Sequence, residues 1–354
     1  MVDLVFTVNP GIEDIVAEEI RSEFTGKLEY KIMSGRVYLY NAGDLKHLYE
    51  KVSRLKTINK AMILLWKGKI RPEYTYLTYL HDSLIRDLNQ IIEYITPNTS
   101  FAVQVERLGE HEYTSMDIAR ILGDVIIDVV SNYYRKRPIV NLRNPSIIIN
   151  ALAKEDELII GVLVSSSWSM HRRGYRIYDH PAALKPTLAV AMLYLSGTKD
   201  KQAIIDPMCG GGTIPIEAAL LHEDAYIVGT DFNEKHVRGA KMNSIAAGVY
   251  NKIILKRWDA RKIDQLGMEF DHIILNPPYG IRYGDPSSVR KLYKEFLESA
   301  IKSLSLMGRI TMITTEYNYI HRLIRRRNIR LDIIHERTVY HGKLYPHIII
   351  LGRK

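Results

Sequence analysis

The feature that most constrains the fold of this chain is the regular alternation of strand-like and helix-like segments from residue 199 onward. Five short runs have the length and composition of buried strands: AIID, YIVG, IILK, HIIL and RITMI. Helix-like segments follow several of these runs, and such alternation predicts a parallel, doubly wound sheet. The last two runs, DIIHERTV and HIIIL, leave no room for a helix between them. We therefore predict an α/β fold whose mostly parallel sheet ends in an antiparallel strand.

The first 165 residues follow a less regular pattern, which indicates an α+β region. The predicted strands are Leu4–Thr7, Arg36–Tyr40, Ala61–Trp66, Phe101–Arg107, Ser146–Leu152 and Glu157–Ser165. The predicted helices are Ile12–Phe24, Ala42–Val52, Thr75–Ile95 and Ser115–Tyr133. The change of pattern predicts domains at 1–60, 61–165 and 199–354, with 166–198 as a linker that ends in the first helix of the last domain.

The positive charge of the chain is concentrated in clusters. The formal net charge is +9, and residues 51–71 contain seven Lys or Arg and no Asp or Glu. Further clusters are YYRKRP, MHRRGYR and HRLIRRRNIR. Any single cluster is also explained as a solvated helix face, but four of them favour a polyanionic partner. RNA, DNA and an anionic membrane surface all satisfy this charge.

Cysteine usage and hydropathy limit the compartment. The single cysteine, Cys209, excludes an internal disulfide and a CxxC metal site. No apolar run approaches the roughly 18 residues that a membrane helix needs. We therefore expect a cytoplasmic protein without a metal and without a membrane partner.

Candidate ligand-binding residues follow the predicted parallel strands, where doubly wound sheets bind ligands. Asp206 ends the first strand and precedes PMCGGGT, whose glycines let the backbone approach a ligand and present amides at a helix N-terminus. This arrangement favours a carboxylate or phosphate, although a tight structural turn also explains the glycines. The spacing is neither GxGxxG nor that of a P-loop, so chemistry on a nucleoside triphosphate is not expected.

Two further acids stand at the ends of the second and third strands. Asp231 can accept hydrogen bonds from both ribose hydroxyls of an adenosine, or it can cap the helix that follows. Asp259 can accept from an adenine amino group, or it can be a surface acid paired with Arg257 or Arg261. Together with the glycine loop, the acids predict a pocket for an adenosine that carries a small charged tail.

The fourth strand ends in the sequence Asn276-Pro277-Pro278-Tyr279. Two prolines terminate the strand, and a rigid turn would need nothing more. However, the side-chain oxygen of Asn276 and the backbone oxygen of Pro277 are two acceptors that can hold both hydrogens of an exocyclic amino group. Tyr279 offers a face on which a base can stack. Acceptors that favour the pyramidal amine also favour the transition state of its alkylation, so no nucleophilic Ser, Cys or Lys is required.

These motifs carry a family resemblance. DPMCGGGT, TDFNEKHVRGAKMN, RWDA and NPPYG resemble, in order and spacing, the motifs of Rossmann-fold S-adenosylmethionine-dependent amino-methyltransferases. Upstream, VNPGIEDIVAEEI, FAVQVERLGEHEYTSMDIARILGDVI, NLRNPSIIINALAKEDELIIGV and MHRRGYR resemble the THUMP-containing RNA methyltransferases with their N-terminal ferredoxin-like segment. The NPPY form is similar to the enzymes that make N2-methylguanosine at position 6 of tRNA, whereas a DPPY form resembles those acting at position 10.

The resemblance implies S-adenosylmethionine as the cofactor and assigns roles residue by residue. The Asp206 loop would surround the methionine end, Asp231 would bind the ribose, and Asp259 the adenine. The implied cofactor-binding residues are Asp206, Pro207, Gly210, Gly212, Thr213, Asp231, Phe232, Asp259, Ala260 and Asn276. The implied catalytic residues are Asn276, Pro277 and Tyr279. The chain differs from the common GSGT loop in having GGGT, which removes one hydroxyl contact.

For the RNA, the resemblance implies an enzyme that binds the acceptor stem and 3′ end of tRNA. We expect this enzyme to be a monomer. The arginines predicted to contact RNA are Arg107, Arg172, Arg173, Arg176, Arg325 and Arg326, for which unspecific surface charge is the alternative. Three other functions stay open at this point. They are ribosomal-RNA guanine-N2 methylation, adenine-N6 methylation, and RNA binding by a degenerate domain without activity.

Overall fold

The computed structural model describes residues 2–43, 46–165, 169–170, 172–180, 182–280, 286–325 and 329–354. The strands are β1 (Val2–Val8), β2 (Lys27–Tyr30), β3 (Arg36–Ala42), β4 (Ile58–Lys69), β5 (Ser100–Leu108), β6 (Ile139–Val140), β7 (Ile147–Lys154), β8 (Glu157–Leu163), β9 (Ala203–Asp206), β10 (Tyr226–Asp231), β11 (Ile253–Arg257), β12 (Phe270–Leu275), β13 (Leu304–Thr314), β14 (Leu331–Thr338) and β15 (His347–Arg353).

The α-helices are α1 (Glu13–Glu23), α2 (Leu48–Arg54), α3 (Tyr76–Asp87), α4 (Ser115–Tyr134), α5 (Pro186–Ser196), α6 (Thr213–Leu221), α7 (Glu234–Ala246), α8 (Pro286–Ser303) and α9 (Tyr317–Arg325). Short 3₁₀ helices occupy Asn89–Glu93, Tyr250–Lys252 and Ala260–Leu266.

The first eight strands form one sheet in the order β2-β3-β1-β4-β8-β7-β5-β6. Strand β1 pairs antiparallel with both β3 and β4, so the first sixty residues and the next hundred share this sheet. The sequence did not predict β2 or β6. Strand β6 has only two residues, and β2 is largely exposed at the sheet edge, so neither carries the apolar alternation by which strands are recognised.

Two predicted helices in this half differ from the structure. The segment predicted as one helix over Thr75–Ile95 contains α3 and then a separate 3₁₀ turn from Asn89 to Glu93. Helix α2 begins at Leu48 and not at the predicted Ala42, which is the last residue of β3. Helix α4 begins at Ser115, as predicted, and a capping box stabilises its first turn. The Thr114 hydroxyl accepts from the Asp117 amide at 3.2 Å, and the Asp117 carboxylate accepts from the Thr114 amide at 2.8 Å.

The second sheet confirms the doubly wound prediction. Its order is β11-β10-β9-β12-β13-β15-β14. The pairs β9–β10, β10–β11, β9–β12 and β12–β13 are parallel, whereas β15 is antiparallel to both neighbours. The chain leaves β9 in one direction for β10 and β11 and then crosses to β12 on its other side. Such a switch point opens a ligand-binding crevice beyond the carboxyl ends of β9 and β12.

The two sheets are joined through α5, whose residues Pro186–Leu193 are all buried. The Thr187 hydroxyl accepts from the Asn9 amide nitrogen at 2.6 Å. Arg337 on β14 donates to both carboxylate oxygens of Asp14 on α1, at 2.7 and 2.9 Å. One hydrophobic cluster contains residues of both sheets. The first 165 residues therefore stand in a defined orientation to the crevice.

Candidate functional site

Four loops meet at the carboxyl edge of the second sheet. Asp206 is the last residue of β9 and Asp231 the last residue of β10. Asp259 follows β11 by two residues, and Asn276 directly follows β12. The strand ends predicted from the sequence are thus confirmed, and parallel pairing brings the four side chains to one edge.

Asp206 is a buried carboxyl, only 3% exposed. It accepts a hydrogen bond from the Met208 amide at 3.0 Å. Burial raises its pKa well above the usual range, and the charge of Asp231 raises the pKa further. Within the part of the chain that the structure describes, no Lys, Arg or His forms an ion pair with it. The site therefore presents a buried acid that a cationic ligand group would stabilise.

The glycine loop is tied to β10 rather than being loose. The Cys209 amide donates to the Thr230 carbonyl at 2.8 Å, and the Thr230 hydroxyl donates to the Pro207 carbonyl at 3.3 Å. Gly212 adopts φ +81° as the residue before α6, which begins at Thr213. A side chain at Gly212 would be strained in this left-handed conformation, so glycine is required for the loop to turn into the helix.

Asp231 holds the same loop through its carboxylate. Its Oδ2 accepts from the Gly210 amide at 2.9 Å, and its Oδ1 accepts from the Asn233 amide at 2.8 Å. The alternative that Asp231 caps α7 is wrong, because the cap is Asn233, whose side chain accepts from the Lys235 amide at 2.9 Å. Asp231 thus remains at the mouth of the crevice.

Phe232 and Ala260 flank the second and third acids. Phe232 is 65% exposed, and the Arg257 guanidinium lies 5.6 Å from the centre of its ring. An exposed aromatic ring beside Asp231 offers a face on which a base can stack. Ala260 is buried beneath the loop and contributes no polar group.

The structure confirms the alternative predicted for Asp259, which is an ion pair with a neighbouring arginine. It pairs with Arg261, whose Nη2 lies 2.7 Å from Oδ2 and whose Nε lies 3.0 Å from Oδ1. Oδ1 also accepts from the Arg261 amide at 3.0 Å, and the hydrogen bond from Arg261 lowers the pKa of Asp259. The Arg261 Nε also lies 3.1 Å from Oδ2, so each carboxylate oxygen already has two contacts with Arg261. A further donor would have to share an oxygen with this arginine.

The Asn276 side chain is held at both ends of its amide. Its nitrogen donates to the Ala182 carbonyl at 3.1 Å, and its oxygen accepts from the Tyr279 hydroxyl at 2.9 Å. Burial raises the pKa of Tyr279 far above its usual value, so the phenol remains a neutral donor. The Tyr293 hydroxyl donates to the Pro278 carbonyl at 2.9 Å. These contacts fix the rotamer and the amide orientation of Asn276.

Tyr279 therefore has a second role besides the stacking face predicted for it. A carbonyl oxygen has two lone pairs, so the hydrogen bond from Tyr279 leaves one on Asn276 for another donor. Pro277 is buried, which places its backbone within the wall of the crevice.

Comparison with known proteins identifies the chain. It is 35% identical to the tRNA (guanine(6)-N2)-methyltransferase of Methanocaldococcus jannaschii, over 99% of both chains. It belongs to the THUMP-containing tRNA guanine-N2-methyltransferase family. The tRNA (guanine(6)-N2)-methyltransferase of Archaeoglobus fulgidus is 32% identical, over 97% of this chain and 90% of the relative. The methyl donor of this family is S-adenosylmethionine, and the chain is an enzyme of this kind.

Two family models and one solved structure agree with this assignment. Residues 92–163 match the THUMP domain, and residues 173–347 match the RMKL-like methyltransferase domain. The crystal structure of TrmN from Thermus thermophilus is 26% identical, covers 100% of both chains and superposes with a TM-score of 0.79. The fold of the methyltransferase is therefore shared over its whole length.

Sequence reasoning missed the residues that cover the glycine loop. The segment before α5 crosses the loop, where the Tyr178 amide donates to the Asn243 oxygen at 2.8 Å. The Asn243 nitrogen in turn donates to the Gly211 carbonyl at 2.8 Å. Tyr178 lies so close to α7 that a Cβ on Gly239 would come within 2.2 Å of its ring. In the sequence, Gly239 was the one sign that another side chain packs against α7 at this point. The segment around Tyr178 has no periodic pattern from which its position could be predicted.

His180 completes this cover of the methyltransferase site. Its ring packs edge-on against His236 with centroids 4.5 Å apart, and His236 Nδ1 lies 3.2 Å from Asp231 Oδ1. Burial lowers the pKa of His180, and the neighbouring His236 lowers it further. A neutral imidazole is therefore favoured beside the crevice.

The arginines predicted to contact RNA lie in different surroundings. Arg172 and Arg325 are exposed, and Arg176 is partly exposed. Arg107 is partly exposed and donates to the Gly109 carbonyl at 3.0 Å. Arg326 lies outside the described residues. For these five arginines, contact with RNA stays a prediction.

Arg173 differs from the other predicted RNA contacts, because its guanidinium is held inside the molecule. It donates to Glu217 on α6 at 3.1 and 3.3 Å and to the Lys56 carbonyl at 2.9 Å. The Tyr175 hydroxyl also donates to Glu217 at 2.7 Å. The side chains of Arg173 and Glu217 are only 15% and 2% exposed. Arg173 therefore joins the two halves of the enzyme rather than presenting a charge to RNA.

This buried ion pair leads to a stability prediction. Replacing Glu217 with alanine leaves the Arg173 guanidinium and the Tyr175 hydroxyl without their acceptor, and should lower the free energy of unfolding by about 3 kcal/mol or more. Urea unfolding followed by circular dichroism measures the change. Glu234→Ala is the matched control, since it breaks the exposed pair with Arg238 and should cost less than about 1 kcal/mol. Equal effects of the two variants would contradict the prediction.

Two further observations concern metals and membranes. Among the residues that the structure describes, no group of three or more His, Cys, Asp or Glu side chains is arranged to hold a metal ion. Over the same residues, no helix is both long enough and apolar enough to cross a membrane.

Proposed function

We propose that the enzyme methylates N2 of the guanosine at position 6 of tRNA, in the acceptor stem. The observation that carries this proposal is the Asn276 loop, whose amide oxygen is held in place beside the crevice that contains Asp206 and Asp231. The names of the full-length relatives support the same base, atom and position. A tRNA substrate also supports a cytoplasmic location, and the monomeric, metal-free enzyme expected from the sequence stays a prediction.

The residues at the crevice fit the cofactor. Its sulfonium methyl group supplies the electrophile for the reaction. Asp206 would balance the ammonium charge of the methionine end, which is the cation that this buried carboxyl lacks. The backbone from Pro207 to Thr213, with Gly210 and Gly212, would surround the same end, while Asp231 would accept from the ribose hydroxyls.

The adenine end would lie between the loops after β10 and β11. Phe232 offers its exposed ring, Ala260 a small apolar wall, and Asp259 a carboxylate oxygen that the adenine amino group would share with Arg261. Because Arg261 already neutralises Asp259, we expect this contact to contribute less to affinity than the contact of Asp231.

The enzyme would act on the guanine by orienting its amino group towards the methyl donor. Asn276 Oδ1 and the Pro277 carbonyl would accept the two hydrogens of the amino group, which favours the pyramidal nitrogen with its lone pair exposed. Tyr279 and Ala182 hold the Asn276 amide so that no reorganisation is needed during the reaction. The target guanosine is base-paired, so it must first be turned out of the stem, which costs a few kcal/mol.

Nucleoside analysis tests this proposal. Unmodified tRNA and isotopically labelled S-adenosylmethionine should yield N2-methylguanosine, and mass-spectrometric mapping should place it at position 6. A tRNA whose position-6 guanosine is replaced by adenosine, with its pairing partner changed to match, should remain unlabelled. N6-methyladenosine, or labelling of ribosomal RNA in preference to tRNA, would contradict the assignment. Absence of cofactor binding by calorimetry would favour a non-catalytic RNA-binding protein.

A further inference from the structure

A cavity of about 500 Å³ lies between the first sheet and the segment that leads into the methyltransferase domain. Strands β3, β4, β5 and β7 contribute Arg36, Lys60, Glu106 and Lys154 to its lining. Arg172 and Lys185, from the segment that precedes α5, also line the cavity. This volume falls within the range of sites that hold small ligands or parts of larger ones. The cavity is separate from the crevice at the carboxyl edge of the second sheet.

The cationic side chains of the cavity exceed its acidic ones. Lys60 pairs with Glu106, and Arg36 pairs with Glu157 outside the lining. Lys154 donates to the Ser34 carbonyl at 3.1 Å, and Lys185 donates to the Asn9 amide oxygen at 3.1 Å. Both of these acceptors are neutral. Within the described residues, neither lysine forms an ion pair with a carboxylate, so their charges are not balanced by protein groups.

An unbalanced ammonium group is costly where water is restricted. Burial lowers the pKa of Lys185, which shows that its surroundings disfavour the charged form. An anion between the two lysines would stabilise both ammonium groups and accept several hydrogen bonds.

The cavity is close to the catalytic loop along the chain. Lys185 follows Ala182 by three residues, and the Ala182 carbonyl accepts from the Asn276 side chain. Three residues of extended chain span at most about 11 Å. Lys185 and the Asn276 loop are therefore connected by a short segment of chain, which would join the proposed anion site to the catalytic loop.

We propose that this cavity receives a backbone phosphate of the RNA strand that carries the target guanosine. The inference rests on the proposed function for its choice of RNA. A free phosphate ion presents the same chemistry, and the experiment separates the two sources. Binding at the junction would fix the strand to both halves of the enzyme at once.

Salt-dependent tRNA binding tests the inference. The double variant Lys154→Gln/Lys185→Gln should weaken binding on the order of tenfold or more, because each lysine would lose a charge-assisted contact. The slope of log K against log salt should become shallower by about one to two, since fewer counterions are released. Fluorescence anisotropy over a series of salt concentrations measures both quantities.

Two control variants separate charge from folding. Lys154→Arg/Lys185→Arg keeps both charges and should retain the wild-type slope. Lys201→Gln removes a charge beyond the far end of α5, which is about 16 Å long, and should also leave the slope unchanged. Calorimetry with S-adenosylmethionine should give wild-type affinity for all variants, which establishes that they fold.

The outcomes are distinguishable. An unchanged slope in the glutamine double variant overturns the inference, as does an equal change in Lys201→Gln. Inorganic phosphate bound by wild type and lost in the double variant, with the tRNA slope unchanged, overturns the assignment to RNA. A reduced slope in the double variant, together with absent methylation at position 6 by the wild-type enzyme, supports the phosphate site and contradicts the proposed function instead.

Discussion

Replacement of Asn276 with alanine is expected to lower kcat about 100- to 1000-fold. The variant loses the acceptor that holds the guanine amino group during methyl transfer, and removal of one preorganised polar contact to a transition state has effects of this size. The affinities for S-adenosylmethionine and tRNA should stay within about twofold of wild type, because the loop is also held by the Tyr293–Pro278 hydrogen bond. Single-turnover methylation and calorimetry measure the two properties separately.

Two further variants of the same loop refine this prediction. Asn276→Asp keeps an acceptor oxygen and should retain more activity than Asn276→Ala. Tyr279→Phe keeps the ring but removes the hydroxyl that orients the amide, and should lower kcat by about tenfold, in line with the loss of one hydrogen bond of about 1.4 kcal/mol. Turnover of Asn276→Ala at a rate close to wild type would show that the assigned role is wrong.

Replacement of Asp231 with alanine is expected to weaken S-adenosylmethionine binding about 100- to 1000-fold. The carboxylate would lose its contacts with the ribose hydroxyls, and hydrogen bonds to a charged group contribute about 1.5–3 kcal/mol each. The substitution would also remove the hydrogen bond from the Gly210 amide to Asp231, which is 2.9 Å long, so the glycine loop would lose an anchor. Calorimetry with S-adenosylmethionine measures the affinity, while tRNA binding should be nearly unchanged.

Asp200 provides a matched control for this prediction. Its carboxylate accepts from the backbone amides of Glu223 and Asp224 at 2.8 and 3.1 Å, so it anchors a loop as Asp231 does. It lies before β9, at the amino end of the sheet and away from the crevice. Asp200→Ala should therefore bind the cofactor with nearly wild-type affinity. If Asp231→Ala binds equally well, Asp231 does not hold the ribose.

The parts of the fold that were predictable are those with a local signal. The alternation after residue 199 predicted the parallel sheet, and the helix predicted to begin at Ser115 does begin there, after the capping box of Thr114 and Asp117. Strand β2 and the interruption after α3 were not predicted. An exposed edge strand lacks apolar alternation, and a 3₁₀ turn can follow a helix without any Pro or Gly to mark the break.

The RNA contacts show the limit of reasoning from composition. Arg173 and Arg172 are adjacent in the same basic cluster, yet Arg173 is held against Glu217 while Arg172 is exposed. Charge clusters therefore predicted a polyanionic partner but not which cations face it. Lys154 and Lys185, which line the cavity beside the first sheet, lie outside the basic clusters that indicated a polyanionic partner.

The sequence by itself determined the class of the second sheet, the positions of Asp206, Asp231, Asp259 and Asn276 at its strand ends, and the family. Tertiary structure alone decided what holds these groups. The contacts of Asn276 with Ala182 and of Tyr178 with Asn243 join residues separated by 94 and 65 positions. The physical reason is that strand ends follow from local apolar patterns and turn residues. Hydrogen bonds between distant loops depend instead on how the packed sheets and helices place two backbones within about 3 Å of each other.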